Sequence, residues 1–279
     1  DSVAPLHNKH HQYGLKYVLS TQHRAQDMTM KLVTRFLQLA IATAISVSSS
    51  FALAADKVLI VVTSHQQLGN TGEKTGYWLG EVTHPYKELI DAGFAVEIAS
   101  IQGGTAPVDK RSLEEPDSVN QWFMADQTHR QKLQQTRKLA DEKVADYRAV
   151  VFAGGHGTMW DFPDNQVLQQ FAAELYQQNG VVAAVCHGPA ALLNIQLPNG
   201  RSLIAGKKVT GFTNSEEQLV KLTEVMPYSL EDQLKQRGAI FQAAADWQTN
   251  VVVDGRLITG QNPQSAADVG KALVKALQQ

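Results

Sequence analysis

The reading of this chain turns on Val181-Val182-Ala183-Ala184-Val185-Cys186-His187-Gly188-Pro189-Ala190. Five small or β-branched apolar residues in a row read as a short strand buried on both faces of a sheet. Gly188-Pro189 and the Ala-Ala-Leu-Leu193 behind them read as a short helix, because proline suits a first helical position. Cys186 falls at the bend between the two. A cysteine there is the thiol form of a nucleophile elbow: the turn exposes the side chain, and a helix N-terminus supplies a potential that favours the thiolate. A free cysteine on a strand is more often a small buried hydrophobe. Packing gives no reason for His187 and Gly188 at this bend, however, so the reactive reading is preferred.

Upstream, Lys57–Val62 is a first buried strand ending in Thr63-Ser64-His65. The glycines of the next loop (Gly69, Gly72, Gly76) are not spaced G-x-G-x-x-G, which removes the case for a dinucleotide. Trp78, Val82, Tyr86 and Leu89 predict a helix stopped at Ala92-Gly93, with Pro85 expected to kink or divide it. Glu81 sits one turn before that proline; most such charges are solvated. Phe94 to Ile101 is a second strand. Residues 102–146 read as a largely helical excursion covering the rim of a site, with an apolar patch at Val119, Trp122 and Phe123. Tyr147 to Ala153 is a third strand, and Gly154-Gly155-His156-Gly157 turns at its end. Asp164 to Gln178 is helical, with Val167, Leu168, Phe171 and Leu175 inward.

Downstream, Lys207 to Gly211 is a strand, and the helix after it is capped by Asn214 or Ser215. Tyr228 to Arg237 is another helix. Asn250 to Thr259 is a hairpin turning at Val253-Asp254-Gly255-Arg256, and Asn262-Pro263 caps a final helix to Leu277. Buried strands alternating with helices define an α/β fold: a doubly wound, mostly parallel sheet with helices on both faces. Such sheets bind ligands at the C-terminal strand edges, where Gly155-His156 and Cys186 fall. No repeat or linker interrupts residues 55–279, which read as a single domain.

The first 29 residues are polar and without period. Met30-Lys31-Leu-Val-Thr-Arg35 then precedes an uncharged run, Phe36 to Ala55, with Ala52-Leu53-Ala54 near its end. A basic start, an apolar centre and an A-x-A end are the parts of a secretory signal. The serines of the run (Ser46, Ser48, Ser49, Ser50) make it a poor anchor, so the expectation is a signal peptide over 30–54, cleaved after Ala54. No stable membrane insertion and a periplasmic or secreted product follow from that. Residues 1–29 then read as upstream of the native start. The segment removed holds five of the 25 basic and two of the 27 acidic residues, leaving the remainder mildly acidic, which argues against nucleic acid as a partner. A single cysteine in the whole chain excludes an internal disulfide and a thiolate zinc cluster.

Ala-Val-Cys-His-Gly-Pro, preceded by Ala153-Gly154-Gly155-His156-Gly157-Thr158 and Asp161-Phe162-Pro163, resembles the ThiJ/PfpI group of the class I glutamine-amidotransferase-like superfamily, whose fold is flavodoxin-like. The match extends to Lys74-Thr75-Gly76, Glu81, His84-Pro85, Thr210-Gly211-Phe212-Thr213 and Thr259-Gly260-Gln261-Asn262-Pro263. It is nearest to the branch holding glutathione-independent glyoxalase III enzymes and heat-shock chaperones, and it spans about Lys57 to the C-terminus.

A cysteine nucleophile needs a base, a group to orient that base and donors for an oxyanion. None of the nine histidines lies beyond His187, so the downstream histidine of the superfamily's amidotransferases, and that of papain-like proteases, has no counterpart. The resemblance implies instead His187 as base, with Glu217 as its acid and Glu216 as the rival position. It also implies Glu81 beside the cysteine as a carboxylate of raised pKa that moves protons. Gly155, His156 and Gly188 are the candidates for oxyanion and substrate binding, through the amides of Gly155 and His187 above all; His156 could equally serve only the tight turn. The implied reaction converts methylglyoxal or glyoxal, small α-ketoaldehydes, to a hydroxy acid through a hemithioacetal on Cys186. It needs no glutathione, metal or other cofactor, and the family habit implies a homodimer. Two alternatives stand beside it: a cysteine amidase or peptidase, and a holding chaperone with Trp122-Phe123-Met124 as its apolar patch. Export would also place a reactive thiol where sulfenic and sulfinic oxidation threatens.

Overall fold

The structure, a computed structural model, describes residues 57–114 and 116–279. The signal peptide, its cleavage site and residues 1–29 lie outside the described residues. Among the described residues seven strands form one sheet: β1 (Lys57–Val62), β2 (Ala95–Ser100), β3 (Arg137–Lys138), β4 (Ala149–Phe152), β5 (Val181–Val185), and, beyond the separate short strands β6 (Lys208–Val209) and β7 (Ile240–Phe241), the strands β8 (Val251–Asp254) and β9 (Leu257–Gly260). Their order is β3-β2-β1-β4-β5-β9-β8, parallel throughout except for β8, which runs antiparallel to β9 as the expected hairpin. β4, β5 and β9 are buried along their whole length, as strands covered on both faces must be.

From β1 the chain crosses one way to β2 through α1 (Leu79–Asp91), and from β4 the other way to β5 through α2 (Gln166–Gln177). Right-handed crossovers in opposite directions put these helices on opposite faces. The last helix, α3 (Ala266–Leu277), packs closely on α1. The strand order reverses between β1 and β4, so a crevice opens at their C-terminal ends beside that of β5. Among the described residues no helix is long and apolar enough to cross a membrane.

Several elements depart from expectation. α1 runs through Pro85 undivided. Its packing holds it there: a Cβ on Gly270 of α3 would lie 2.9 Å from the Cα of Pro85, so the helices meet backbone to backbone at that level. Val167 is 41% exposed, while Leu168, Phe171 and Leu175 are buried, so the inward stripe of α2 is narrower than expected. Lys208–Val209 stays out of the main sheet and pairs with Ile240–Phe241 as a separate parallel ribbon. The helix at Asn214–Leu219 is capped by Thr213, whose hydroxyl and amide form a reciprocal pair with Glu216, not by Asn214 or Ser215. Asn262 caps nothing with its side chain, which reaches Glu216 instead; a 3-10 turn, Pro263–Ser265, leads into α3.

Among its described residues the 102–146 excursion holds two eight-residue helices, three short 3-10 turns and β3, an edge strand of the main sheet. Its apolar patch is not a free surface. Phe123 is fully buried, edge-on to Tyr86 at 5.0 Å, and Trp122 is half-buried beside it. Met124 alone stays exposed, so the surface expected of a chaperone is spent on internal packing.

Candidate active site

Cys186 directly follows β5 with φ +60°, a left-handed conformation that costs a residue with a Cβ about 1–3 kcal/mol. Two backbone bonds hold the bend. Its N–H donates to the Gly260 carbonyl at 2.9 Å, and its own carbonyl accepts from the Phe212 amide at 2.8 Å. The Thr-Gly-Phe-Thr and Thr-Gly-Gln-Asn-Pro motifs thus clamp the cysteine from both sides. The segment after it, Gly188–Leu192, is a 3-10 turn and not an α-helix. A Cβ at Gly188 would come within 2.1 Å of the Phe152 carbonyl, so close packing demands glycine there. Gly188 is not among the residues that line the cavity.

One carboxylate organises both histidines. His187 Nε2 donates to Glu217 Oε2 at 2.7 Å, and His156 Nε2 donates to Glu217 Oε1 at 3.0 Å. The tautomer of His156 is set from behind, since Arg111 Nη2 donates to its Nδ1 at 3.0 Å. With Nε2 of His187 spent on Glu217, its Nδ1 presents a lone pair 3.3 Å from Cys186 Sγ. Cys186, His187 and Glu217 are therefore in line for a thiol, a base and an orienting acid. Burial would raise the Glu217 carboxyl, but the two imidazoles hold it well below the usual range, so it is ionised. Burial, and then the neighbouring His187, lower His156 to about 4, so it is neutral at pH 7.

Glu216, the rival position, faces away from His187. Its Oε1 accepts from the Trp247 amide (2.9 Å), Gln261 Nε2 (3.1 Å) and Asn262 Nδ2 (2.8 Å), and its Oε2 from the amide and hydroxyl of Thr213. It ties the loops behind the site together.

Glu81 is fully buried on α1. Its Oε2 accepts from the Gly154 amide at 2.7 Å, and a Cβ on Gly154 would fall 2.6 Å from that oxygen. Its Oε1 is buried without a partner of hydrogen-bond geometry, which leaves the adjoining Cys186 thiol as the group available to it. Burial raises Glu81 to about 8, so the carboxyl holds its proton at neutral pH. Burial first, and then the nearby Glu81 carboxylate, push the Cys186 thiol well up. The expectation of a resting thiolate is thereby corrected: a single 3-10 turn offers too little dipole to outweigh burial among acids. Glu81 does not itself line the cavity; it adjoins the cavity through the Cys186 thiol.

Gly155, His156, Cys186 and His187 meet at the floor of a cavity of about 590 Å³. Gly155 adopts φ +98°, and a Cβ there would lie 2.3 Å from the Gly76 carbonyl, so the turn needs glycine. Trp78, Phe212 and Trp247 supply aromatic wall, and the 102–146 excursion supplies part of the rim through Arg111 and Asp117. Arg111, Asp109 and Trp247 escaped the sequence reading. A lone arginine in an irregular loop carries no spacing signal; the Lys74-Thr75-Gly76 motif was an indirect one, because Thr75 holds Asp109 at 2.9 Å and Asp109 holds Arg111. The ligand atoms of His156, His187 and Glu217 lie within 4.8 Å of one another, near enough for a metal ion. They already satisfy one another by hydrogen bonds, and the Arg111 cation beside His156 opposes a second cation.

A strained cysteine closing a central strand of a doubly wound sheet, backed by a buried glutamate, defines an α/β class with its site at the strand ends. The chain belongs to the DJ-1/PfpI family, whose model matches residues 74–276. It is 33% identical to glyoxalase 3 of Candida albicans over 239 residues, covering 80% of this chain and 98% of that protein. It is equally 33% identical to glutathione-independent glyoxalase HSP31 of Saccharomyces cerevisiae, covering 81% and 99%. Among solved structures it is similar to Rapid Encystment Protein 24 kDa of Francisella tularensis (46% identity, TM-score 0.78, covering 80% of this chain and 99% of that one). Glyoxalase III of Candida albicans matches with a TM-score of 0.75.

Proposed function

We propose that this protein is a glutathione-independent glyoxalase that converts small α-ketoaldehydes to hydroxy acids on Cys186. The observation that carries the reading is the Cys186–His187–Glu217 line opening on the cavity floor. Relatives of nearly full coverage that bear the glyoxalase name support it.

The thiol proton passes to His187 Nδ1 as Sγ attacks the aldehyde carbon, and the aldehyde oxygen takes that proton to give a hemithioacetal. The Glu81 carboxyl, protonated at neutral pH, donates to the sulfur while it carries charge. His187 next removes the proton from the carbon bonded to sulfur and passes it to the neighbouring ketone oxygen, forming an enediol; it then takes the hydroxyl proton of the first carbon and delivers it to the second carbon, leaving a carbonyl beside sulfur. The first carbon is oxidised to a thioester and the second reduced to an alcohol, so no external electron carrier is required. Water then cleaves the carbon–sulfur bond, the sulfur recovers its proton, and the acid leaves as a carboxylate. Amides of Gly155 and His187 on the cavity floor are the donors proposed for the oxyanion.

The test is methylglyoxal consumption by purified protein without added glutathione, metal or cofactor. Wild type should consume it and Cys186→Ala should not. Cysteine-dependent release of amine from small amides, with no dicarbonyl consumed, would identify an amidase instead.

A further inference from the structure

Arg111 lies in the 3-10 turn Lys110–Leu113 and belongs to none of the sequence motifs. Its Nε donates to Asp109 Oδ1 at 2.9 Å and its Nη2 to Asp109 Oδ2 at 2.6 Å, while the same Nη2 reaches His156 Nδ1. Asp109 is 1% exposed and is itself held by Thr75, so the counter-charge sits behind the guanidinium, away from solvent. Nη1 has no hydrogen-bond partner among the described residues. The side chain is 36% exposed and lines the cavity, where no other lysine or arginine among the described residues does. A guanidinium locked on one edge with a free nitrogen on the other is preorganised for an anion.

The proposed reaction begins with an uncharged aldehyde and ends with an anion. In its last step water adds to the thioester carbon, the carbon–sulfur bond breaks, sulfur takes one proton and the acid gives up the other. The new carboxylate forms on Cys186, in a cavity that Asp117 also lines and behind whose His187 stands the ionised Glu217. It needs a cation within reach. We infer that Arg111 is the carboxylate-recognising residue of this cavity, binding the hydroxy-acid product through its free edge while its other edge positions His156. The inference rests on the glyoxalase reading for its ligand class, but binding to the resting protein tests it without turnover.

The experiment titrates lactate, and lactamide as its uncharged counterpart, into the full chain by calorimetry, for wild type, Arg111→Met and Arg111→Lys. Loss of one charged hydrogen-bonding partner corresponds to roughly tenfold or more in affinity. Arg111→Met should weaken lactate by about that factor and leave lactamide unchanged. Arg111→Lys should restore part of the loss, since an ammonium supplies charge but cannot keep the Asp109 and His156 bonds together. In turnover, the inhibition constant for lactate should rise while the KM for uncharged methylglyoxal moves far less. If Arg111→Met fails to fold, Arg111→Gln, which keeps a donor and drops the charge, replaces it. Equal lactate affinity in wild type and a folded uncharged variant overturns the inference. Arg111-dependent lactate binding in a protein that consumes no methylglyoxal would uphold the anion site and remove the glyoxalase reading.

Discussion

Nε2 of His187 lies 2.7 Å from Oε2 of Glu217, and this bond decides which end of the imidazole faces the thiol. The adjacent Glu216 is fully buried but bonds only to loops behind the site. The two neutralising substitutions should therefore separate. Glu217→Gln should lower kcat by about a hundredfold or more, the range of general acid–base assistance, with a modest change in melting temperature. Glu216→Gln should keep most activity and melt several degrees lower, because an amide leaves buried donors unmet at about 1–3 kcal/mol. Activity losses in the reverse order would show that Glu216 is the working acid.

The proton on Glu81 governs the thiol. Iodoacetamide alkylation of Cys186 in wild type should rise with pH only above the ordinary thiol value of about 8.5. Above about pH 8, where Glu81 ionises, its carboxylate disfavours the thiolate; Glu81→Gln removes that charge, and its alkylation curve should move to lower pH. An unchanged or upward-moving curve would dissociate Glu81 from the sulfur.

His156 should set the acid side of the stability profile. Its pKa falls from the ordinary 6.5 to about 4 on folding, so the unfolded chain binds more protons between those values. The stability it contributes is full above pH 6.5 and is lost as pH falls toward 4. Glu217, held below its ordinary value, adds to the loss at lower pH still. Melting temperatures of wild type should fall across this window, and those of His156→Asn should fall less steeply. Parallel slopes would contradict a buried neutral His156.

Export is tested on the chain as made. N-terminal sequencing of protein from the producing cells should find a start at Ala55 in an exported fraction. A cytosolic protein retaining residues 30–54 would remove the reading of that segment as a signal peptide.

The fold was legible because buried parallel strands announce themselves as apolar runs: Val58–Val62 and Val181–Val185 are short, continuous and bounded by turns. The elbow was legible because Cys186, His187 and Gly188 are adjacent in sequence. What escaped depended on distant partners. Val167 follows the helical period yet lies off the packed face, and Thr213 caps its helix because Glu216 three residues on can reciprocate. The upward push on the Cys186 thiol comes from burial and from Glu81, a hundred positions away, which no local pattern reports. Arg111 reaches the site only through the folded course of a loop.

The central claim is that Cys186 directs an internal exchange of oxidation state, and product stoichiometry tests it most directly. Purified protein is incubated with methylglyoxal without glutathione, and lactate formed is measured against dicarbonyl consumed. Wild type should yield one lactate for each methylglyoxal lost, and Cys186→Ala should yield none. Dicarbonyl loss without lactate, or equal lactate from Cys186→Ala, would contradict the account.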